Sequence, residues 1–126
     1  MPGKLVHFEV PARNSDQAKA FWSGVFGWEF GDSAMPEMEY YMVRTGEDQG
    51  GAVFPSEKAG SGLTIYFDTD DIDASIAKVR ELGGKAEDKM PIPHVGWFAP
   101  CSDTDGNAFR TSGRLRRIVA RGGSFV

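Results

Sequence analysis

The chain has 126 residues, a length typical of one compact domain, and 40% of them are apolar, which is enough for a packed core. Its net charge of −4 argues against nucleic acid as a partner, and its single cysteine, Cys101, excludes an internal disulfide. The sequence shows neither the apolar run typical of a signal peptide nor one long enough for a membrane span, so we expect a cytoplasmic protein without a membrane partner.

The first half of the chain carries signals for one strand, then one helix, then three further strands. The apolar stretch Leu5–Val10 predicts a strand, and Asn14 then offers a helix N-cap, with Gln17 three residues on as its capping-box partner. Gly27 is expected to end this helix, which should cover about residues 15–26. Three short strands and a linker at 56–62 should follow; the strands are Trp28–Phe30, Glu39–Arg44 and Ala52–Pro55.

The predicted first helix carries an apolar stripe at helical spacing. Its members are Phe21, Trp22, Val25 and Phe26. A stripe of this kind usually packs against the core, so we expect all four side chains to be buried. We also expect Cys101, on a later strand, to be a small buried apolar group.

The second half of the chain repeats the order of the first. A shift of 56 residues places Phe26 on Leu82 and Gly27 on Gly83. The second helix should cover about residues 71–82, with Asp70 or Asp71 as its N-cap. The strands expected around it are Leu63–Thr69, Lys85–Asp88, Gly96–Ser102 and Asn107–Ser112. The repeat predicts two β-α-β-β-β units, neither of which could bury a sufficient core alone.

Four segments in this order resemble the vicinal oxygen chelate superfamily, also called the glyoxalase, bleomycin-resistance and dioxygenase superfamily. They read VHFEV, AKAFWSGVFGWEF, DIDASIAKVRELGGKAE and GWFAPCSDTDGNAF. The resemblance implies an α+β fold in which two tandem β-α-β-β-β modules form curved mixed sheets around a cleft, frequently as a homodimer. A single domain 1–126 would then comprise module one at about 4–55, the linker 56–62, module two at about 63–113 and a basic tail 114–126.

In metal-dependent members of this superfamily, four strands each direct one metal ligand into the cleft. The matching positions here fall on His7, on Val53 or Phe54, on Thr64 and on Arg110. His7 alone matches a usual ligand, and the guanidinium of Arg110 stays protonated and repels a cation. We therefore predict that the usual metal site is lost and that no cofactor is bound, with a divalent metal as the alternative.

The same positions suggest a pocket for an organic ligand. Glu9 lies two residues after His7 and so points to the same face of its strand. Arg110 could grip a carboxylate or phosphate with two parallel hydrogen bonds. The predicted ligand-binding residues are His7, Glu9, Phe54, Thr64, Tyr66, Trp97 and Arg110.

Three functional interpretations remain open at this point. We favour a metal-independent protein that binds a small anionic molecule; the alternatives are a metal-dependent lyase, isomerase or dioxygenase of the glyoxalase type, and a non-catalytic dimeric scaffold. Glu9 and Arg110 could instead form a purely structural ion pair, and Phe98 is expected in the core rather than in the pocket wall. His94, which follows Pro91 and Pro93, is expected on a loop at the rim.

Overall fold

The computed structural model describes residues 3–114, which have an α+β fold with two helices and nine strands. The predicted fold class is confirmed, whereas the predicted basic tail lies, from residue 115 onward, outside the described residues. The elements in chain order are β1 (Leu5–Ala12), α1 (Ser15–Phe26), β2 (Phe30–Met35), β3 (Met38–Gly46), β4 (Gln49–Pro55), β5 (Thr64–Asp68), α2 (Ile72–Glu81), β6 (Lys85–Ala86), β7 (Met90–Ile92), β8 (Gly96–Ser102) and β9 (Ala108–Arg114).

Two compact units divide these elements, and each is described by itself. The first module consists of residues 6–65, and the second consists of residues 66–114 together with residues 3–5. The N-terminal residues belong to the second module because Gly3 N–H donates to the Asp68 carbonyl and Asp68 N–H donates to the Lys4 carbonyl, both at 2.8 Å.

The first module is a mixed sheet with α1 on one face. β1 pairs with β4 in parallel, and β3 pairs with both β2 and β4 in antiparallel fashion. α1 begins as predicted, because the Asn14 side chain accepts a hydrogen bond from Gln17 N–H at 2.9 Å, and it ends at Gly27, whose φ of 72° is left-handed. The core between helix and sheet contains Val10, Ala12 and Val53, with Phe8, Ala18, Trp22 and Phe30 packed around them.

The predicted burial of the α1 stripe is wrong for three of its four members. Phe21 is 60% exposed, Val25 54% and Phe26 61%, whereas Trp22 packs against the core. The physical reason is that Trp22, stacked on Trp28 at 5.1 Å between ring centroids, already fills the space under the helix. Helical spacing identified an apolar face, but the sheet of this module covers only part of it.

The second module repeats this plan. β5 pairs with β9 in parallel, and β8 pairs with β9, β6 and β7 in antiparallel fashion. α2 is capped by Asp71, whose carboxylate accepts from Ala74 N–H at 3.0 Å, and it packs Ile72 and Ile76 against Ala99 and Cys101. The predicted burial of Cys101 is confirmed, since 7% of the residue is exposed, and burial raises the pKa of its thiol.

β7 is an element that the sequence pattern did not predict. It contains Pro91 within the segment PIPH and pairs with β8 alone. A proline lacks the N–H that a central strand requires, so it is compatible with an edge strand of this kind. His94 lies in the exposed turn after β7 with a left-handed φ of 64°, consistent with the expected loop.

Candidate functional site

β1 of the first module presents two ionisable side chains on the face away from α1. His7 and Glu9 alternate with Phe8 and Val10, which pack towards the helix. On the neighbouring strand, Gly50 lies opposite His7 and Ala52 lies opposite Glu9. Small residues at both pairing positions leave room above the strand for the imidazole and the carboxylate.

Tyr40, on β3, joins these two side chains through its hydroxyl group. The hydroxyl donates to Glu9 Oε2 at 2.8 Å and lies 2.8 Å from His7 Nε2. Because a phenol has one hydrogen and here gives it to Glu9, the neutral imidazole must carry its proton on Nε2 and donate it to the Tyr40 oxygen. Tyr40 is only 8% exposed and His7 and Glu9 are half-buried, so the three groups form a partly buried polar cluster, which we call the His7–Tyr40–Glu9 cluster.

The protonation of His7 is set by two opposing effects. Burial lowers the pKa of His7 below its ordinary value of 6.5, and the charge of Glu9 acts in the opposite direction without cancelling it. The imidazole is therefore neutral near pH 7, and its Nε2–H remains available to the Tyr40 oxygen.

Acidification is expected to destabilise the protein through His7. The pKa of His7 is lower in the folded than in the unfolded state, so the unfolded state binds the proton more readily, and the stabilisation present above pH 6.5 is lost as the pH falls through the folded pKa. Thermal melting between about pH 7.5 and pH 5 should show this loss for the wild type. His7→Gln, which cannot titrate, should give a flatter profile; equal profiles would contradict this account.

Phe54 and Val53 lie on opposite faces of β4. Val53 is completely buried in the core under α1, whereas Phe54 is half-buried on the other face, with its ring centroid 6.0 Å from that of Tyr40. Phe54 therefore borders the His7–Tyr40–Glu9 cluster. Thr64 is half-buried at the start of β5.

The second module carries a different group on the face of its strands away from α2. Arg110, on β9, lies opposite Tyr66 on β5 and donates from Nη1 to the Tyr66 hydroxyl oxygen at 2.6 Å. The guanidinium carbon also lies 5.4 Å from the centroid of the Tyr66 ring and 5.0 Å from that of Phe98. Tyr66 is 6% exposed and Arg110 is half-buried, so packing restricts the orientation of the guanidinium.

Trp97 and Phe98 lie on opposite faces of β8. Trp97 packs with the α2 core, and Lys89 Nζ lies 4.6 Å from the centroid of its ring. Phe98 contacts Arg110 and Tyr66, contrary to the expectation that it belongs to the core. The structure therefore groups Phe98, rather than the predicted Trp97, with Arg110; we call Tyr66, Phe98 and Arg110 the arginine–aromatic patch.

The turn before β9 fixes the register that places Arg110 in this patch. Asp103 Oδ1 accepts from the N–H groups of Asp105 and Asn107, and Oδ2 accepts from the Asn107 side chain, each at 2.9 Å. These bonds, with the Asn107 side chain as the largest contributor, lower the pKa of Asp103. The strands leave the turn with Ser102 opposite Ala108, which brings Pro100 opposite Arg110.

The residues at the four family positions do not fit a resident metal. Of the four, only His7 has a usual donor, since Phe54 has none, Thr64 is a weak donor and Arg110 is a permanent cation. Within residues 3–114, no group of three or more His, Cys, Asp or Glu side chains is arranged to hold a metal ion. Over the same range, no helix combines the length and apolarity that a membrane span requires.

A family model for the glyoxalase-like domain matches residues 6–112. The chain belongs to this family. The match covers both modules and both candidate groups of side chains, and it confirms the resemblance to the vicinal oxygen chelate superfamily that the sequence motifs indicated. Membership of this family accounts for the fold, whereas a fold of this kind does not by itself determine a function.

Related sequences agree with this assignment. A glyoxylase-like domain-containing protein of Didymella fabae is 32% identical over 115 residues, which cover 83% of this chain and 89% of that protein. The protein CFP32 of Mycobacterium bovis, whose name associates it with the glyoxylases, is 31% identical over 111 residues. That match covers 85% of this chain but 42% of CFP32, so this chain spans less than half the length of its mycobacterial relative.

Solved structures share the fold at low sequence identity. A member of the glyoxalase/bleomycin resistance protein/dioxygenase superfamily from Vibrio splendidus has a TM-score of 0.66 and 17% identity, with 88% of this chain and 98% of that chain covered. Methylmalonyl-CoA epimerase from Mycobacterium tuberculosis has a TM-score of 0.68 and 13% identity, with 90% of this chain and 89% of that chain covered. At these identities the similarity establishes the fold alone.

Sequence reasoning missed two residues of these groups, Tyr40 and Phe98. Counting back from the Asp103–Asn107 turn could have paired Phe98 with Ser112, which lies two residues after Arg110 on the same face. The segment EMEYYMV contains two adjacent tyrosines on opposite faces, and nothing in it distinguishes Tyr40 from Tyr41. Only the pairing of β3 with β4 shows which tyrosine reaches β1.

Proposed function

We propose that this glyoxalase-like protein binds a small anionic organic molecule through Arg110. The observation that carries the proposal is the arginine–aromatic patch, in which a half-buried guanidinium is oriented by the Tyr66 hydroxyl and two aromatic rings. Guanidinium has five N–H donors in a fixed plane, and this geometry matches the two oxygens of a carboxylate or phosphate. An oriented guanidinium loses less side-chain entropy when the anion binds, which favours affinity.

A structural neighbour supports this kind of ligand without identifying it. Methylmalonyl-CoA epimerase is named for a substrate that carries a carboxylate and phosphates, so the fold is compatible with an anionic organic ligand. The ligand of this chain need not be the same, because the two proteins share 13% of their residues.

The proposal is tested by a melting screen of the wild-type protein. Small carboxylates and phosphates are added at matched ionic strength, and each is compared with its neutral amide or alcohol analogue. We expect at least one anion to raise the melting temperature while its neutral analogue does not, since binding to the folded state stabilises it. Equal shifts for the charged and neutral members of every pair would refute anion binding.

We also propose that the protein holds no resident metal ion. Elemental analysis of protein purified without chelator should find far less than one transition-metal ion per chain, because the family positions lack a sufficient donor set. A near-stoichiometric content of zinc, nickel, iron or manganese would overturn this prediction. It would then favour the second candidate function.

That second candidate is a metal-dependent lyase, isomerase or dioxygenase of the glyoxalase type. The His7–Tyr40–Glu9 cluster favours it, because an imidazole and a carboxylate lie on one face of β1 and share a hydroxyl group within hydrogen-bonding distance. Both groups, however, already use the Tyr40 hydroxyl, and metal coordination would require them to change these hydrogen bonds. The non-catalytic scaffold, the homodimer and the cytoplasmic location remain predictions from the sequence.

A further inference from the structure

The apolar character of the arginine–aromatic patch bears on the class of anion that it would accept. Phe98 is half-buried beside Arg110, and its partner across the β7–β8 pair is Met90, which is 39% exposed. Pro100 lies directly opposite Arg110 on β8. A group bound at the guanidinium would therefore meet a ring and aliphatic carbons along β8, with the Ser112 hydroxyl opposite Phe98 on β9.

The other cations of the second module do not add positive charge to the contacts of the arginine–aromatic patch. Three of its cations have partners outside the patch: Lys78 pairs with Glu81 at 3.3 Å, Lys89 pairs with Asp73 at 3.0 Å, and Arg80 donates to the Ala86 carbonyl at 2.8 Å. These partners belong to α2 and β6, and Lys89 also lies over Trp97 on the face towards α2.

The other described cations of this module have their backbones at a distance from Arg110. Arg114 lies four residues along β9, which corresponds to roughly 13 Å. Lys85 lies opposite Ser102, and Lys4 lies beside Asp68. Each is two strands and two residues away, or about 12 Å from strand geometry.

From this geometry we infer that the preferred ligand is a monocarboxylate with an apolar body, the carboxylate on Arg110 and the body along Phe98 and Met90. The inference rests on the proposed function and narrows its ligand class. A phosphate dianion or a dicarboxylate would bring a second charge onto an apolar surface, where desolvation is unfavourable. A carboxylate without an apolar body would leave the Phe98 and Met90 surface in contact with water.

The test is a calorimetric titration of the protein with five probes: phenylacetate, acetate, benzyl alcohol, malonate and inorganic phosphate. We expect phenylacetate to bind about tenfold more tightly than acetate, because its ring buries apolar surface. Benzyl alcohol, which has the ring without the charge, should bind at least tenfold more weakly than phenylacetate. Malonate and phosphate should bind no more tightly than acetate.

Two variants test whether the apolar body of the ligand binds along Phe98 and Met90. Phe98→Leu and Met90→Ala should each weaken phenylacetate several-fold. Met90→Ala, which leaves the ring contacts of Arg110 in place, should leave acetate unchanged, whereas Phe98→Leu removes one of those contacts and should weaken acetate as well. Met90 makes none of the guanidinium contacts of the patch and is exposed, so its variant should fold even if Phe98→Leu does not. Phenylacetate binding that neither variant weakens would overturn the inference.

The outcomes also separate this inference from the proposed function. If phosphate or malonate binds more tightly than phenylacetate, and Arg110→Met abolishes that binding, anion binding stands and the monocarboxylate class is wrong. If none of the four anions binds in a manner that depends on Arg110, the proposed function itself fails. Tight binding of benzyl alcohol, equal to that of phenylacetate, would overturn the role of the charge and with it the inference.

Discussion

Arg110→Met is expected to lower the affinity for an anionic ligand roughly ten- to a hundredfold. The substitution removes hydrogen bonds to a charged group, which contribute about 1.5–3 kcal/mol, and about 1.4 kcal/mol corresponds to a factor of ten in affinity. The aliphatic part of methionine can keep contact with the rings of Tyr66 and Phe98, so the fold should persist. Titration of both proteins with the best anion of the melting screen measures the difference.

Arg13→Met provides a matched control for this substitution. Arg13 is an exposed arginine of the first module, so its loss changes the net charge by the same amount and leaves all three residues of the arginine–aromatic patch unaltered. The control should retain wild-type affinity. An equal loss in both variants would mean that ligand binding reflects net charge alone. If Arg110→Met lowers the melting temperature strongly and leaves affinity unchanged, Arg110 has a structural role instead.

The helices and the repeat could be predicted because their signals are local. The capping groups of Asn14 and Asp71 lie within three residues of the N–H groups that they satisfy, and Gly27 adopts the left-handed conformation that ends α1. Gly83 has a φ of 96°, also left-handed, at the corresponding position of the repeat. Each of these signals involves residues within about one helical turn of one another, so predicting the helix ends requires no knowledge of the tertiary structure.

The composition of the candidate site could be predicted only in part, because it depends on strand pairing. Alternation along one strand indicated that His7 and Glu9 share a face, and the structure agrees. Whether Trp97 or Phe98 faces Arg110 depends on the register between β8 and β9, and a shift of one residue exchanges the two faces. The same dependence explains why Tyr40 was missed.

The burial of α1 could not be predicted from its periodicity for a further reason. Helical spacing shows that Phe21, Val25 and Phe26 lie near one another on the helix, but the covered width of the helix depends on the sheet beneath it. Trp22 and Trp28 occupy that surface, and the other side chains remain more than half exposed.

Tyr40→Phe is expected to destabilise the first module through the loss of a single hydroxyl group. The ring of phenylalanine can still pack beside Phe54, so the substitution isolates the two hydrogen bonds to His7 and Glu9. A hydrogen bond to a charged group contributes about 1.5–3 kcal/mol, and the imidazole N–H would in addition lose its acceptor on Tyr40. The free energy of unfolding, measured by urea denaturation, should fall by about that amount.

Tyr41→Phe is the matched control, because it removes the same atom from the next residue of β3. The Tyr41 hydroxyl donates to the exposed Glu39 at 2.9 Å, where water can replace the lost bond, so stability should change little. Glu9→Gln completes a double-mutant cycle with Tyr40→Phe: the two losses should not add, because Glu9→Gln removes the charge of the acceptor in the same hydrogen bond that Tyr40→Phe eliminates. If Tyr40→Phe and Tyr41→Phe behave alike, or if the losses at Tyr40 and Glu9 add fully, then the His7–Tyr40–Glu9 cluster is not the cooperative unit that its hydrogen bonds indicate.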